Sequence, residues 1–186
     1  MAIGHIAASL SRNFQPLDLA LFSSIIAHGT KINGPLVMSD NWMIVIAADP
    51  LAVPPKERAD AAFRLLTTMR PEAQDPALYL SDKPEFFHCG ANFANVFCPL
   101  CGADIREWWR RPIDAWWKSA DRRDLSVVIP CCGRATTLND LDYDWPQGMA
   151  CVAISLMNPE FDLEPEERQQ IEAALGLPVR IIWEHI

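Results

Sequence analysis

Apolar positions along the chain fall into two distinct periods. Short runs rich in apolar and β-branched residues occur at WMIVIA (42–47), ALYL (77–80), LSVVI (125–129), MACVAISLM (149–157) and VRIIW (179–183). Runs of this length, bounded by turn residues, predict strands. A helical period from about Pro55 to Met69 puts Ala59, Ala62, Phe63, Leu66 and Met69 on one face, and Pro71 stops it. A second helix is predicted from about Pro165 to Leu175, with acidic residues in its first turn and Gly176 as its stop. Between them, IREWWRRPIDAWWKSA aligns Ile105, Trp109, Ile113, Trp116 and Ala120 in one stripe, with Pro112 expected to kink the helix or start its second half.

The order of these elements contains a repeat. WMIVIA, a proline-bearing connector, a helix and ALYL form one strand–helix–strand unit; MACVAISLM, a second such connector, a helix and VRIIW form another. Asp49-Pro50 corresponds to Asn158-Pro159, and Pro55 to Arg58 corresponds to Pro165 to Arg168. In both, an Asp/Asn-Pro turn ends a strand and a second proline pre-sets the first helical turn. Two such units in tandem predict an α+β fold of ferredoxin-like plan, with a four-stranded antiparallel sheet and two helices on one face. Residues 88 to 140 then form an insertion between the halves. Residues 1–37 lack regular patterning and read as an N-terminal extension to a domain spanning 38–186, with Met38 as an alternative start.

The insertion holds the chemistry. Cys98-Pro99-Leu100-Cys101-Gly102 has the form of a zinc knuckle, two thiolates bracketing a tight turn. Pro130-Cys131-Cys132-Gly133 supplies a second cluster, and the Trp-rich helix lies between the two. Zinc takes four nitrogen or sulfur ligands in a tetrahedron, commonly all thiolates. Adjacent cysteines are poor disulfide partners, so two readings arise at Cys131 and Cys132. Either both bind, or one binds and His88 or Cys89 completes the set. Glycine after each cluster and a strand-like run before it favour Cys98, Cys101, Cys131 and Cys132. An all-thiolate zinc has no open position, and neither H-E-x-x-H nor H-x-E…P-C-x-x-C is present, so the expected Zn2+ is structural.

Composition narrows the partner. The 186 residues carry 16 basic and 24 acidic side chains, a net charge of -8, which opposes non-specific nucleic-acid binding. The most apolar early stretch, PLDLALFSSIIAHG, is broken by Asp18 and is too short to span a bilayer. A cytoplasmic location with reduced thiols is expected. Trp108, Trp109, Trp116 and Trp117 form a candidate partner surface, since two adjacent pairs cannot all face inward and one tryptophan is expected to be exposed. Asp140, Asp142 and Asp144 in LNDLDYDW lie at alternate positions, as a solvated acidic edge that meets Arg134 or a cationic partner. Trp145 and Cys151 stand where a calcium loop needs glycine and glutamate. GxSxG, GxxxxGK[ST] and GxGxxG are all absent.

With CPLCG, PCCG and LNDLDYDWPQG in view, residues 89 to 186 resemble a group of small bacterial proteins of unestablished function. Their pattern is a CPxCG knuckle, a Trp-Trp helix, a PCCG cluster, LNDL-x-Y, Pro-x-Gly, a strand ending in Asn-Pro, and a closing Leu-Gly…His-Ile. Here these are Cys98 to Gly102, Trp108 and Trp109, Cys131 to Gly133, Leu138 to Tyr143, Pro146 and Gly148, Asn158-Pro159, and Leu175-Gly176 through His185-Ile186. The resemblance implies a split zinc ribbon and supplies no activity. The expected function is a non-catalytic, zinc-stabilised binding or adaptor protein that recognises another protein, as a regulatory or immunity-type partner does. The alternative is an enzyme that uses carboxylates of residues 139–145.

Overall fold

The computed structural model describes residues 40–186, so the expectations on residues 1–37 lie outside the described residues. The larger sheet has four strands: β1 (Asn41–Ala47), β2 (Gln74–Phe87), β7 (Gly148–Met157) and β8 (Val179–His185), in the order β2-β7-β1-β8 with every neighbour antiparallel. The central strands β1 and β7 are buried on both faces, which is why they read as unbroken apolar runs rather than alternations. Each strand–helix–strand unit straddles a strand of the other. β1 connects through helix α1 (Lys56–Met69) to β2 across β7, and β7 connects through α3 (Pro165–Leu175) to β8 across β1.

Alternation along the strands makes two cores. Met43, Val45, Ala47, Val152, Ile154 and Leu156 pack against Ala59, Ala62 and Leu66 of α1 and Ile171 and Leu175 of α3. Ile44, Ile46, Ala153 and Ile182 form a smaller cluster on the other face, with Trp42, Tyr79 and Phe87 half-buried beside it. The two helices lock at both ends. Arg58 at the start of α1 donates to the carbonyls of Ala173 and Ala174 at the end of α3, where positive charge suits the helix dipole. Arg70, just past α1, reaches Glu167 in the first turn of α3.

β2 corrects the sequence reading. The run 77–80 is only its middle, and the strand continues to Phe87 through a register shift between Leu80 and Glu85. Ser81-Asp82-Lys83-Pro84 reads as a turn, but β2 is an edge strand, where a bulge and a proline are tolerated. The Tyr79 hydroxyl closes the bulge by donating to the Lys83 carbonyl.

The connection from β2 to β7 is the insertion, and it extends to residue 147 rather than 140. It contains β3 (Val96–Phe97), α2 (Arg106–Lys118), β4 (Ser126–Val128), β5 (Ala135–Thr137), a 3-10 turn at Leu138–Asp140 and β6 (Asp142–Tyr143). β3 pairs with β6, and β4 pairs with β5. Helix α2 runs unbroken through Pro112. Trp109, Ile113 and Trp116 bury its stripe among Val96, Ile105, Leu125, Ile129, Leu138 and Leu141. Phe86 and Met149, opposite each other on β2 and β7, join this core to the sheet.

The LNDL-x-Y segment staples the insertion to β7. The Asn139 side chain accepts from the Met149 N–H at 2.6 Å and donates to the Met149 carbonyl at 2.9 Å, acting as a strand partner. The Tyr143 hydroxyl donates to the Leu138 carbonyl at 2.8 Å and accepts from Trp109 Nε1 at 3.1 Å. Burial pushes the Tyr143 phenol well above its ordinary range, so it stays a donor. Replacing Asn139 with alanine leaves a buried N–H and C=O unpaired and is expected to cost about 2 kcal/mol or more. Chemical denaturation of the purified variant measures this.

Candidate metal centre

Two turns bring four cysteines together. The first follows β3: the Cys98 N–H donates to the Ala103 carbonyl at 2.8 Å, and the Gly102 N–H donates to the Cys98 carbonyl at 2.9 Å. The second follows β4: the Ile129 N–H donates to the Arg134 carbonyl at 2.9 Å, and the Gly133 N–H donates to the Ile129 carbonyl at 2.8 Å. Gly102 and Gly133 close the turns at φ +71° and +68°. An added Cβ would meet nothing within 4 Å at either glycine, so the left-handed backbone, not crowding, requires the residue.

These bonds superimpose the turns position by position. Cys98-Pro99-Leu100-Cys101-Gly102 lies over Ile129-Pro130-Cys131-Cys132-Gly133. Cys132 is therefore the counterpart of Cys101. Ile129 takes the place of Cys98, and Cys131 takes the place of Leu100. First positions of both turns point into the insertion's core, Cys98 at 1 % and Ile129 at 0 % exposure. The second turn carries a sulfur at its third position where the first turn carries one at its first, and this accounts for the absent spacer between Cys131 and Cys132. The signal was present in the sequence as CPLCG against IPCCG.

All four sulfurs lie within 4.8 Å of one another. Cys98 Sγ is 3.8 Å from Cys132 Sγ, and Cys101 Sγ is 3.4 Å from Cys131 Sγ. The Leu100 N–H points at Cys98 Sγ at 3.4 Å, as amides in a knuckle point at a thiolate. Desolvation opposes ionisation of Cys98. The Leu100 amide and hydrogen bonds from Cys101 and Cys131 outweigh it and bring this thiol down to about 7. Desolvation and then the neighbouring sulfurs push Cys131 up to about 12. Four crowded thiols resist sharing negative charge, and a divalent cation relieves that conflict by replacing their protons. Four sulfur donors suit a soft or borderline metal and disfavour magnesium or calcium.

The substitutes weighed for the fourth ligand lie elsewhere. Cys89 is buried with its sulfur 3.9 Å from Gln147 Oε1, and burial pushes its thiol up to about 11. His88 Nδ1 accepts the Gly90 N–H and lies 3.3 Å from Glu184 Oε1.

The tryptophan expectation changes. Trp109 and Trp116 are core residues, Trp108 and Trp117 are half-buried against the same cluster, and none of the four is exposed. Adjacent tryptophans straddle the boundary of the buried stripe, so each pair puts one ring inside and one along the edge. Asp140, Asp142 and Asp144 are exposed, as a solvated edge requires. Arg180, not Arg134, approaches this edge, at 3.9 Å from Asp140, and Thr137 Oγ1 donates to Asp140 at 2.6 Å. Sequence reasoning missed the exposed apolar residues on the cysteine-bearing segments, Leu100 at 45 % and Val128 at 63 %.

No protein-family model, curated protein or solved structure matches the chain. No helix among the described residues is long and apolar enough to cross a membrane.

Proposed function

We propose that this chain is a non-catalytic adaptor of the cytoplasm that recognises another protein, its recognition segment held in shape by a structural Zn2+ on Cys98, Cys101, Cys131 and Cys132. The observation that carries this reading is the all-sulfur group within 4.8 Å on two matching turns. A closed tetrahedron of thiolates leaves no position for water or substrate. We assign the sheet to the ferredoxin-like plan on its order β2-β7-β1-β8 and interleaved units, and the insertion to a split zinc ribbon. We also place the chain among the small bacterial proteins with CPxCG, PCCG and LNDL-x-Y in this order. Asn139, Tyr143 and the two knuckle glycines give those motif positions defined structural roles.

Leu100 and Val128 give the recognition surface, because apolar side chains held out on one metal-fixed turn and on the strand that leads into the other have a rigid position and apolar area to offer. The net charge of -8 suits a basic partner. The enzyme reading has less support, since the aspartates on which it would rest are exposed. The test is affinity capture from native cells with wild type and with the Leu100→Asp, Val128→Asp double variant, followed by binding measurements on the purified pair. A protein that binds wild type and loses at least about tenfold affinity for the variant, whose zinc content is unchanged, is the expected result. A partner that binds both equally contradicts this surface.

A further inference from the structure

The four sulfurs are not equally sheltered. Cys98 is buried and Cys132 half-buried, whereas Cys101 and Cys131 are exposed and stand 3.4 Å apart. The asymmetry follows from the displaced ligand. The first position of each turn points into the core, where Cys98 sits in one turn and Ile129 in the other. The sulfur at the third position of the second turn, the place of exposed Leu100 in the other turn, turns one edge of the group toward solvent.

We infer that this edge is an oxidation site: a peroxide joins Cys101 to Cys131 as a disulfide and strips the metal of two of its four ligands. The inference rests on the metal centre proposed above. Metal binding displaces the protons of all four sulfurs, so in the loaded protein each is a thiolate and accessibility selects which one reacts. The sulfur of Cys101 or Cys131 attacks one peroxide oxygen, the O–O bond breaks, and the departing hydroxide takes a proton from solvent to leave as water. The second sulfur attacks the resulting sulfenic acid, the S–O bond breaks, and a second hydroxide is protonated to water. Two thiolates have together given two electrons to the peroxide, and a thiol reductant reverses the step.

Pairings of Cys98, and of Cys131 with Cys132, are disfavoured on the same geometry. Cys131 and Cys132 are adjacent, which strains the bridge. Cys98 is shielded by the core and held by the Leu100 amide. A Cys101–Cys131 bridge also ties one turn to the other, so the recognition segment loses its metal while remaining cross-linked.

The experiment treats full-length, metal-loaded protein with hydrogen peroxide, follows zinc with a chromogenic chelator, and maps disulfides by peptide mass spectrometry. The companion is an Ile129→Cys, Cys131→Leu double variant, which rebuilds the regular knuckle with its sulfur in the core. Wild type is expected to release its zinc with formation of Cys101–Cys131, and reductant with added zinc is expected to restore the starting state. The double variant, if it holds zinc, is expected to release it on the order of tenfold more slowly. Should that variant fail to fold, the disulfide map of wild type decides alone. Zinc retained by wild type under peroxide, or a first bridge involving Cys98, overturns the inference while leaving the metal centre intact. Protein that takes up no metal overturns the centre itself, and this inference with it.

Discussion

Cys131→Ser is expected to lose the metal as completely as Cys98→Ser, Cys101→Ser or Cys132→Ser, although Cys131 stands where the other turn has a leucine. Serine preserves volume and polarity but offers a poor donor to a soft metal, so each variant leaves three sulfurs where four are needed. The loss is large, because metal binding to a closed thiolate site supplies on the order of 10 kcal/mol of folding free energy. That exceeds what a core of a dozen buried side chains retains once chain entropy is subtracted. The insertion between β2 and β7 is therefore expected to lose fixed packing in every variant. Near-ultraviolet circular dichroism reports this through Trp109 and Trp116, and metal analysis reports the ligand loss. Metal retained at wild-type affinity by Cys131→Ser would make it a bystander and contradict the four-sulfur ligand set.

The second large effect is expected between α1 and α3, outside the insertion that holds the four cysteines. Arg70 is 8 % exposed and spends its guanidinium on five hydrogen bonds: to the carbonyls of Met69, Phe161 and Asp162, and to both oxygens of Glu167 at 3.0 and 2.6 Å. It thereby ties the end of α1 to the loop and first turn that begin α3. Arg70→Met keeps the aliphatic stem and removes every donor. Glu167 remains partly exposed, so the cost falls at the lower end for a broken buried pair, about 3 kcal/mol at neutral pH. The acid dependence has a definite sign. Hydrogen bonds from Arg70, and then from the Glu164 backbone, hold the Glu167 carboxyl down to about 2 from its ordinary 4.5. The pair's contribution is present above the ordinary value and is lost as the pH falls from 4.5 toward 2. Denaturation midpoints of wild type and variant should converge over that window; a gap unchanged by acid would mean that the carbonyl contacts alone carry the effect.

What the sequence disclosed depended on the length of each element's period. α1 and α3 are long enough for their burial to repeat, β1, β7 and β8 are long enough to stand out as apolar runs, and the predicted bounds of all five lie within a residue or two of those observed. β3, β5 and β6 have two or three residues each, and no period exists at that length. The bulge in β2 was hidden because Ser81 to Pro84 has the composition of a turn, and only its place at the sheet edge makes it part of a strand. In LNDLDYDW the charged residues drew attention as candidate chemistry. The structure instead uses the neutral ones, because Asn139 can both donate and accept at Met149 while a carboxylate can only accept. The cysteines were legible as a group from their clustering. Their unequal exposure was not, because it depends on which positions of each turn face the core, and that follows from the folded burial of Cys98 and Ile129.

The most direct test of the central claim is X-ray absorption at the metal edge, together with metal analysis, on full-length protein purified without added metal. One zinc per chain with a first shell of four sulfurs at about 2.3 Å is the expected result. A shell containing nitrogen or oxygen, or protein free of metal that takes up none when zinc is supplied, would contradict the closed thiolate centre.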